Sequence, residues 1–202
     1  AGVVGAELSA STALILGMSN LAADGFSMAV SNFLGTRSEL ETRERFRKEE
    51  LRHIALVPDG EKEEVRQIFT AKGFSGPDLE RAVEIITSDK ERWAETMLRE
   101  ELGLSSAPRS PRRAALSTFA AFLLAGSVPL FAFVLDSFAS GFVREPFLWS
   151  SILTGATFFL IGALKSRFVN QSWIRSGLET LLIGGLAAIL AYTVGVLFKG
   201  IR

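Results

Sequence analysis

The stretch AADGFSMAVSNFLGTRSELE, residues 22–41, changes its preferred solvent part-way along. Its first half is apolar except for Asp24. Its second half carries Arg37, Glu39 and Glu41. No helix breaker separates the halves, so the sequence predicts one helix that leaves a membrane and continues into water. A carboxylate and a thioether, Asp24 and Met28, stand one helical turn apart in the apolar half.

Charge along the rest of the chain divides in the same way. Lys and Arg total 22, and so do Asp and Glu, giving no net charge over 202 residues. Residues 36–113 nevertheless hold 33 of those 44 charges, 17 acidic and 16 basic. A soluble globule spreads charge over its whole surface, so this segregation argues for a polar insert between membrane spans. There is no Cys, which excludes disulfides, thiolate metal sites and thiol nucleophiles. The single His53 excludes a multi-histidine centre. The chain opens on Ala in AGVVGAEL, which reads as the end of an apolar helix rather than a signal peptide with a basic leader. The expectation is a fragment missing most of a first span.

Four stretches reach the roughly 20 apolar residues that cross a bilayer. They are 11–34, 114–136, 147–165 and 176–198. All are rich in Gly, Ala and Ser, which let membrane helices pack closely. Pro129 lies inside the second. In the insert, 37–57 reads as one helix continuous with the span before it. Pro58, Asp59 and Gly60 make a turn, 61–71 a second helix ending at Gly73, and 75–103 a third. Leu79, Val83, Ile86, Trp93 and Met97 give that third helix an apolar stripe. SSAPRSPRR is a linker back to the membrane. The fold class is all-α: a polytopic helical membrane protein with a three-helix insert. The expected organisation is membrane helices over 1–35, a polar helical domain over 36–108 and three membrane helices over 109–202.

Basic flanks give orientation. Arg37, Arg43 and Arg45, then Arg109, Arg112 and Arg113, then Lys165, Arg167 and Arg175 all fall on one side if the insert is cytoplasmic and the C-terminus opposite. Lys199 and Arg202 are the fewer dissenting charges.

Charges inside a bilayer cost several kcal/mol, on the order of 3 at the helix centre, so each intramembrane carboxylate is a functional candidate. Asn20, Asp24, Met28 and Asn32 recur every four residues, a stripe of oxygen, amide and thioether groups. Thioether sulfur suits a transition metal better than Ca²⁺ or Mg²⁺. The plainer reading is a stripe that hydrogen-bonds a neighbouring helix, with Met28 as packing. Glu179 is expected to pair with Arg175. In the insert, Glu50 with His53, Glu61 with Glu64, and Met97 with Glu101 each share a helix face. Together they form a candidate oxygen-rich site for Fe²⁺, Mn²⁺ or Zn²⁺. With 17 acids in the segment, solvated faces and core packing of Met97 are the bland alternatives. No phosphate loop, dinucleotide motif or nucleophile–His–acid set points to an enzyme. Interleaved acids and bases leave no nucleic-acid patch.

GFSMAVSNFLGTRSELE, RKEELRH, PDGEKEEVRQIFTAKGF, ETMLREELGLS, GSVPLFAF and LIGGLAAILAYTVGVLF follow the order and spacing of the vacuolar iron transporter family, which the chain resembles over nearly its whole length. That resemblance implies five membrane helices, the first mostly missing here together with an essential Asp. It implies a cytoplasmic metal-binding domain between the second and third helices, and homodimers. It also implies export of Fe²⁺, often also Mn²⁺, from the cytoplasm by proton exchange, with no tightly bound cofactor. By position, Met28 matches a path methionine. Glu50, Glu61, Glu64, Met97 and Glu101 match metal-binding residues of the domain, and His53 falls where the family usually has Glu. Ser31-Asn32 replaces the family's usual Gly-Glu, and Asp24 stands where many members have a small residue. The implied partners are divalent metal ions, protons and the lipid bilayer. A membrane-anchored metal sensor or scaffold without transport is the alternative, and a purely structural membrane dimer a third.

Overall fold

A computed structural model describes residues 1–104, 110–138 and 144–199. Arg109, Arg202 and parts of the two loops at 105–113 and 137–146 fall outside the described residues. Every regular element among those described is a helix. Four are long and apolar enough to cross a membrane: Ala10–Leu56 (α2), Pro111–Phe138 (α6), Pro146–Val169 (α7) and Trp173–Leu197 (α8). The chain is thus an all-α, polytopic membrane protein. α2 runs through residues 22–41 without a break, and Pro129 sits inside α6 without ending it. A short α1 covers Gly2–Gly5.

Contacts divide the chain into two compact units. One comprises residues 1–29 and 116–202. Its interior is made of small residues at close backbone approach. A Cβ placed on Gly162 of α7 would lie 2.4 Å from the Ser176 carbonyl oxygen of α8. One on Gly195 of α8 would lie 2.1 Å from the Gly2 carbonyl oxygen of α1. Gly25 of α2 faces the rings of Phe119 and Phe122 on α6. Many large apolar side chains, Leu124, Leu182 and Leu190 among them, point outward, as they do when the solvent is hydrocarbon, while Phe133 is buried. Glu7 and Lys199 form an ion pair, so the dissenting Lys199 has an acidic partner. The expected Arg175–Glu179 pair is absent among the described ion pairs. An exposed pair gains little, and Arg preceding Glu is the weaker order at this spacing.

The second unit, residues 30–115, is built like a soluble domain. Ile54, Val65, Val83, Trp93, Ala94 and Met97 form its core, with Leu51, Ile68, Phe69, Leu79 and Ile86 packed around them. The next helix, Pro58–Ala71 (α3), starts earlier than the turn reading implied, because proline suits the first helical position. It ends where Gly73 takes φ 94°. There the Phe74 N–H reaches the Phe69 carbonyl at 3.1 Å and the Gly73 N–H that of Thr70 at 2.9 Å. The Phe69 and Phe74 rings meet edge-on across this cap. The expected single helix over 75–103 is two helices, Gly76–Thr87 (α4) and Lys90–Glu100 (α5). The break falls at Asp89, whose side chain accepts the Arg92 N–H at 2.8 Å and caps α5. The apolar stripe continues across the break, which is why periodicity alone read it as one helix.

Candidate functional site

Glu50 on α2, Glu61 and Glu64 on α3 and Glu101 at the end of α5 gather in the polar unit. Three of them stand one turn from a residue locked in the core. Glu50 is four before Ile54, Glu61 four before Val65, and Glu101 four after Met97. Packing of the apolar partners therefore fixes where the acids emerge. Glu50 and Glu61 are themselves buried, and Glu50 Oε1 has no hydrogen-bond partner among the described residues. His53 Nδ1 lies 3.7 Å from Glu61 Oε1 at the exposed edge. Met97 is fully buried in the apolar core.

Burial, reinforced by Glu61, Glu101 and Glu64, pushes the Glu50 carboxyl up to about 8. Glu64, though largely exposed, is also raised, chiefly by partial desolvation and then by Glu61 and Glu101, with His53 opposing. No Lys or Arg is among the leading causes of either shift. Two acids elsewhere in the unit behave oppositely. The Lys72 ammonium holds Glu100 below the usual carboxylate range, with help from Arg99. Arg66 does the same for Glu80, with Nη2 2.9 Å from the carboxylate. Among the described residues, Glu50, Glu61, Glu64 and Glu101 thus meet without an ion pair to a Lys or Arg, His53 being the one basic group beside them. Among the described residues, no three His, Asp or Glu side chains yet converge closely enough to hold a metal ion. The exposed Glu64 and Glu101 would have to turn inward to close such a set.

On α2, Asn20, Asp24 and Met28 are all exposed, Met28 by 51%. The neighbouring Gly25 and Ala29 are buried. Asn32 Nδ2 donates to the Ala114 carbonyl at 3.4 Å, and its Oδ1 accepts from the Thr36 hydroxyl at 3.5 Å.

The VIT family profile matches residues 1–196. The chain belongs to the VIT family. A vacuolar iron transporter of Toxoplasma gondii (strain ATCC 50861 / VEG) is 34% identical, covering 98% of this chain and 68% of its own length. Vacuolar iron transporter 1 of Arabidopsis thaliana is 31% identical over 95% of this chain and 76% of its own. A vacuolar iron transporter of Plasmodium berghei (strain Anka) is 31% identical over 98% and 75%. These relatives carry the names of transporters, and this VIT-family chain is a multi-pass membrane protein of that kind rather than an enzyme.

Sequence reading missed the frame around the carboxylates in this VIT-family chain. Arg43 pairs with Glu95, and Arg47 pairs with Glu91 at 2.7 Å, tying α2 to α5. The signal was present as two bases and two acids, each four residues apart on facing helices. The buried Trp93 Nε1, without a hydrogen-bond partner among the described residues, had no such signal.

Proposed function

We propose that this chain carries Fe²⁺, with Mn²⁺ as a second cargo, out of the cytoplasm in exchange for protons. The observation that carries the reading is the carboxylate cluster without an ion pair to a Lys or Arg among the described residues, in which Glu50 holds a proton near neutrality. A divalent cation entering the cluster supplies the missing positive charge and displaces that proton. Glu50, Glu61, Glu64 and Glu101 supply hard oxygen ligands and His53 a nitrogen, a set suited to Fe²⁺ and Mn²⁺ and also accepting Zn²⁺. Met97, enclosed in the core, contributes by holding Glu101 in register. Iron is the cargo in the names of the relatives, and the donor set agrees with it.

Asp24 and Met28 are assigned to the translocation path, with Asn20 beside them and Asn32 at its polar end. A carboxylate exposed on a membrane helix needs protein or water beside it, so a second copy is proposed to cover this face and form the path at a dimer interface. The insert is proposed to lie on the cytoplasmic side and the C-terminus opposite.

The test uses the full chain in liposomes with Fe²⁺ inside or outside and a pH-sensitive dye. Asp24→Asn and Met28→Ala are expected to slow flux at least tenfold while metal binding persists. Wild-type rates in both remove the path assignment. Glu50→Gln with Glu61→Gln is expected to abolish metal binding by calorimetry. Binding without any flux in the wild type would make the protein a metal sensor instead.

A further inference from the structure

The turn joining α7 to α8 carries charges that the metal chemistry does not use. Arg167 lies in the last turn of α7 and Arg175 in the first turn of α8. Asn170, between them, adopts a left-handed conformation with φ 50°. Neither arginine makes an ion pair or hydrogen bond with a described residue. Each opens onto a groove. One groove, of about 530 Å³, holds Arg167, Leu164, Leu160 and Trp173. The other, of about 710 Å³, holds Arg175, Leu178, Leu182 and Glu179. Gln171 and Ser172 line both.

The pattern is symmetric about the turn. Leu164 and Leu160 lie three and seven residues before Arg167. Leu178 and Leu182 lie three and seven residues after Arg175. At helical spacing each set shares one face, and all four leucines are exposed. Each arginine therefore heads an apolar lane about 10 Å long that runs away from a common polar turn. A free anion has no use for the lanes, and a neutral lipid has none for the arginines. Trp173, edge-on to Phe159 at 6.0 Å between centroids, is the residue type that marks the headgroup level of a bilayer.

We propose that this hairpin holds an anionic phospholipid, its phosphate between Arg167 and Arg175 and its acyl chains along the two leucine lanes. Basic pockets between membrane helices bind such headgroups for this electrostatic reason. Among the described residues, Glu179 is the only acid lining either groove. It weakens the anion's hold on the Arg175 side, so Arg167 is the stronger contact.

Native mass spectrometry of the full chain, released from bilayers of mixed phosphatidylglycerol and phosphatidylcholine, tests this. The wild type is expected to retain phosphatidylglycerol over phosphatidylcholine by about thirtyfold, from two arginine contacts. R167Q should lose more of that preference than R175Q, and the double variant nearly all of it. L164S with L182S should weaken retention without altering the charge preference. Equal retention of the two lipids, or an unchanged preference in R167Q/R175Q, overturns the proposal. So does displacement of the lipid by inorganic phosphate alone, which would mark a free-anion site. A change in oligomer mass at constant lipid count would make the hairpin a contact between copies and also overturns it. If the double variant does not fold, a photoactivatable phosphatidylglycerol on the wild type replaces it. Adducts should map within residues 160–182, and adducts confined elsewhere refute the site.

Discussion

In the unit formed by residues 30–115, the largest fully buried side chains among the described residues are Met97, Leu98 and Val65. In the unit formed by 1–29 and 116–202, the fully buried one is Ser176, while Leu124 is 73% exposed. The same residue types take opposite positions because the two units face different solvents. In water, burying large apolar groups drives folding. In hydrocarbon that drive vanishes, and helices associate by close packing of small residues. The charges follow suit: ion pairs lace the outside of the polar unit, and Glu50, Glu61, Glu64 and Glu101 gather within it.

The comparison breaks most sharply at the two cores. Met97→Ala should destabilise the polar unit by about 2–5 kcal/mol, because the cavity lies in a packed interior. Denaturant unfolding followed by Trp93 fluorescence, with Trp149 and Trp173 replaced by Phe, measures it. Gly162→Leu should cost the membrane unit about 1–3 kcal/mol or more, because backbone rather than a movable side chain lies in the way. Thermal unfolding in detergent measures that, and Leu124→Ala on the outer surface should leave the midpoint almost unchanged.

The carboxylate cluster sharpens the contrast through pH. The folded-state value of Glu50, about 8, lies above its ordinary value of 4.5. Its contribution to stability is therefore complete below about 4.5 and lost as pH rises through about 8. The polar unit should weaken between pH 5 and 9, with Glu64 adding in the same direction, and Glu50→Gln should flatten the slope. Fe²⁺ affinity should rise over the same interval, with proton release measurable by calorimetry in buffers of different ionisation enthalpy. The smallest effect belongs to the outer ion pairs. A double-mutant cycle on Arg47 and Glu91, both partly exposed, should give a coupling below about 1 kcal/mol.

The residues of 22–41 alone carried the essential architecture. An unbroken helix that changes solvent follows from local composition, since hydropathy and the absence of a breaker are properties of neighbouring residues. The four spans, the polar insert and the helix end at Gly73 were legible for the same reason. The break at Asp89 was not, because a cap competes with a stripe that continues across it. Nor was the identity of the carboxylates that meet. Pairs such as Glu50 with His53 are visible on one helix, but 17 acids offer many pairs. Which of them lack a Lys or Arg is decided by contacts between helices. Glu100 and Glu101 are adjacent in sequence, yet Lys72 neutralises the first while the second faces Glu50 and Glu64. Sequence determined that this chain places acids beside a membrane. Only the packing of α2, α3 and α5 decided which acids are left needing a cation, because electrostatic energy depends on distances across helices and not along them.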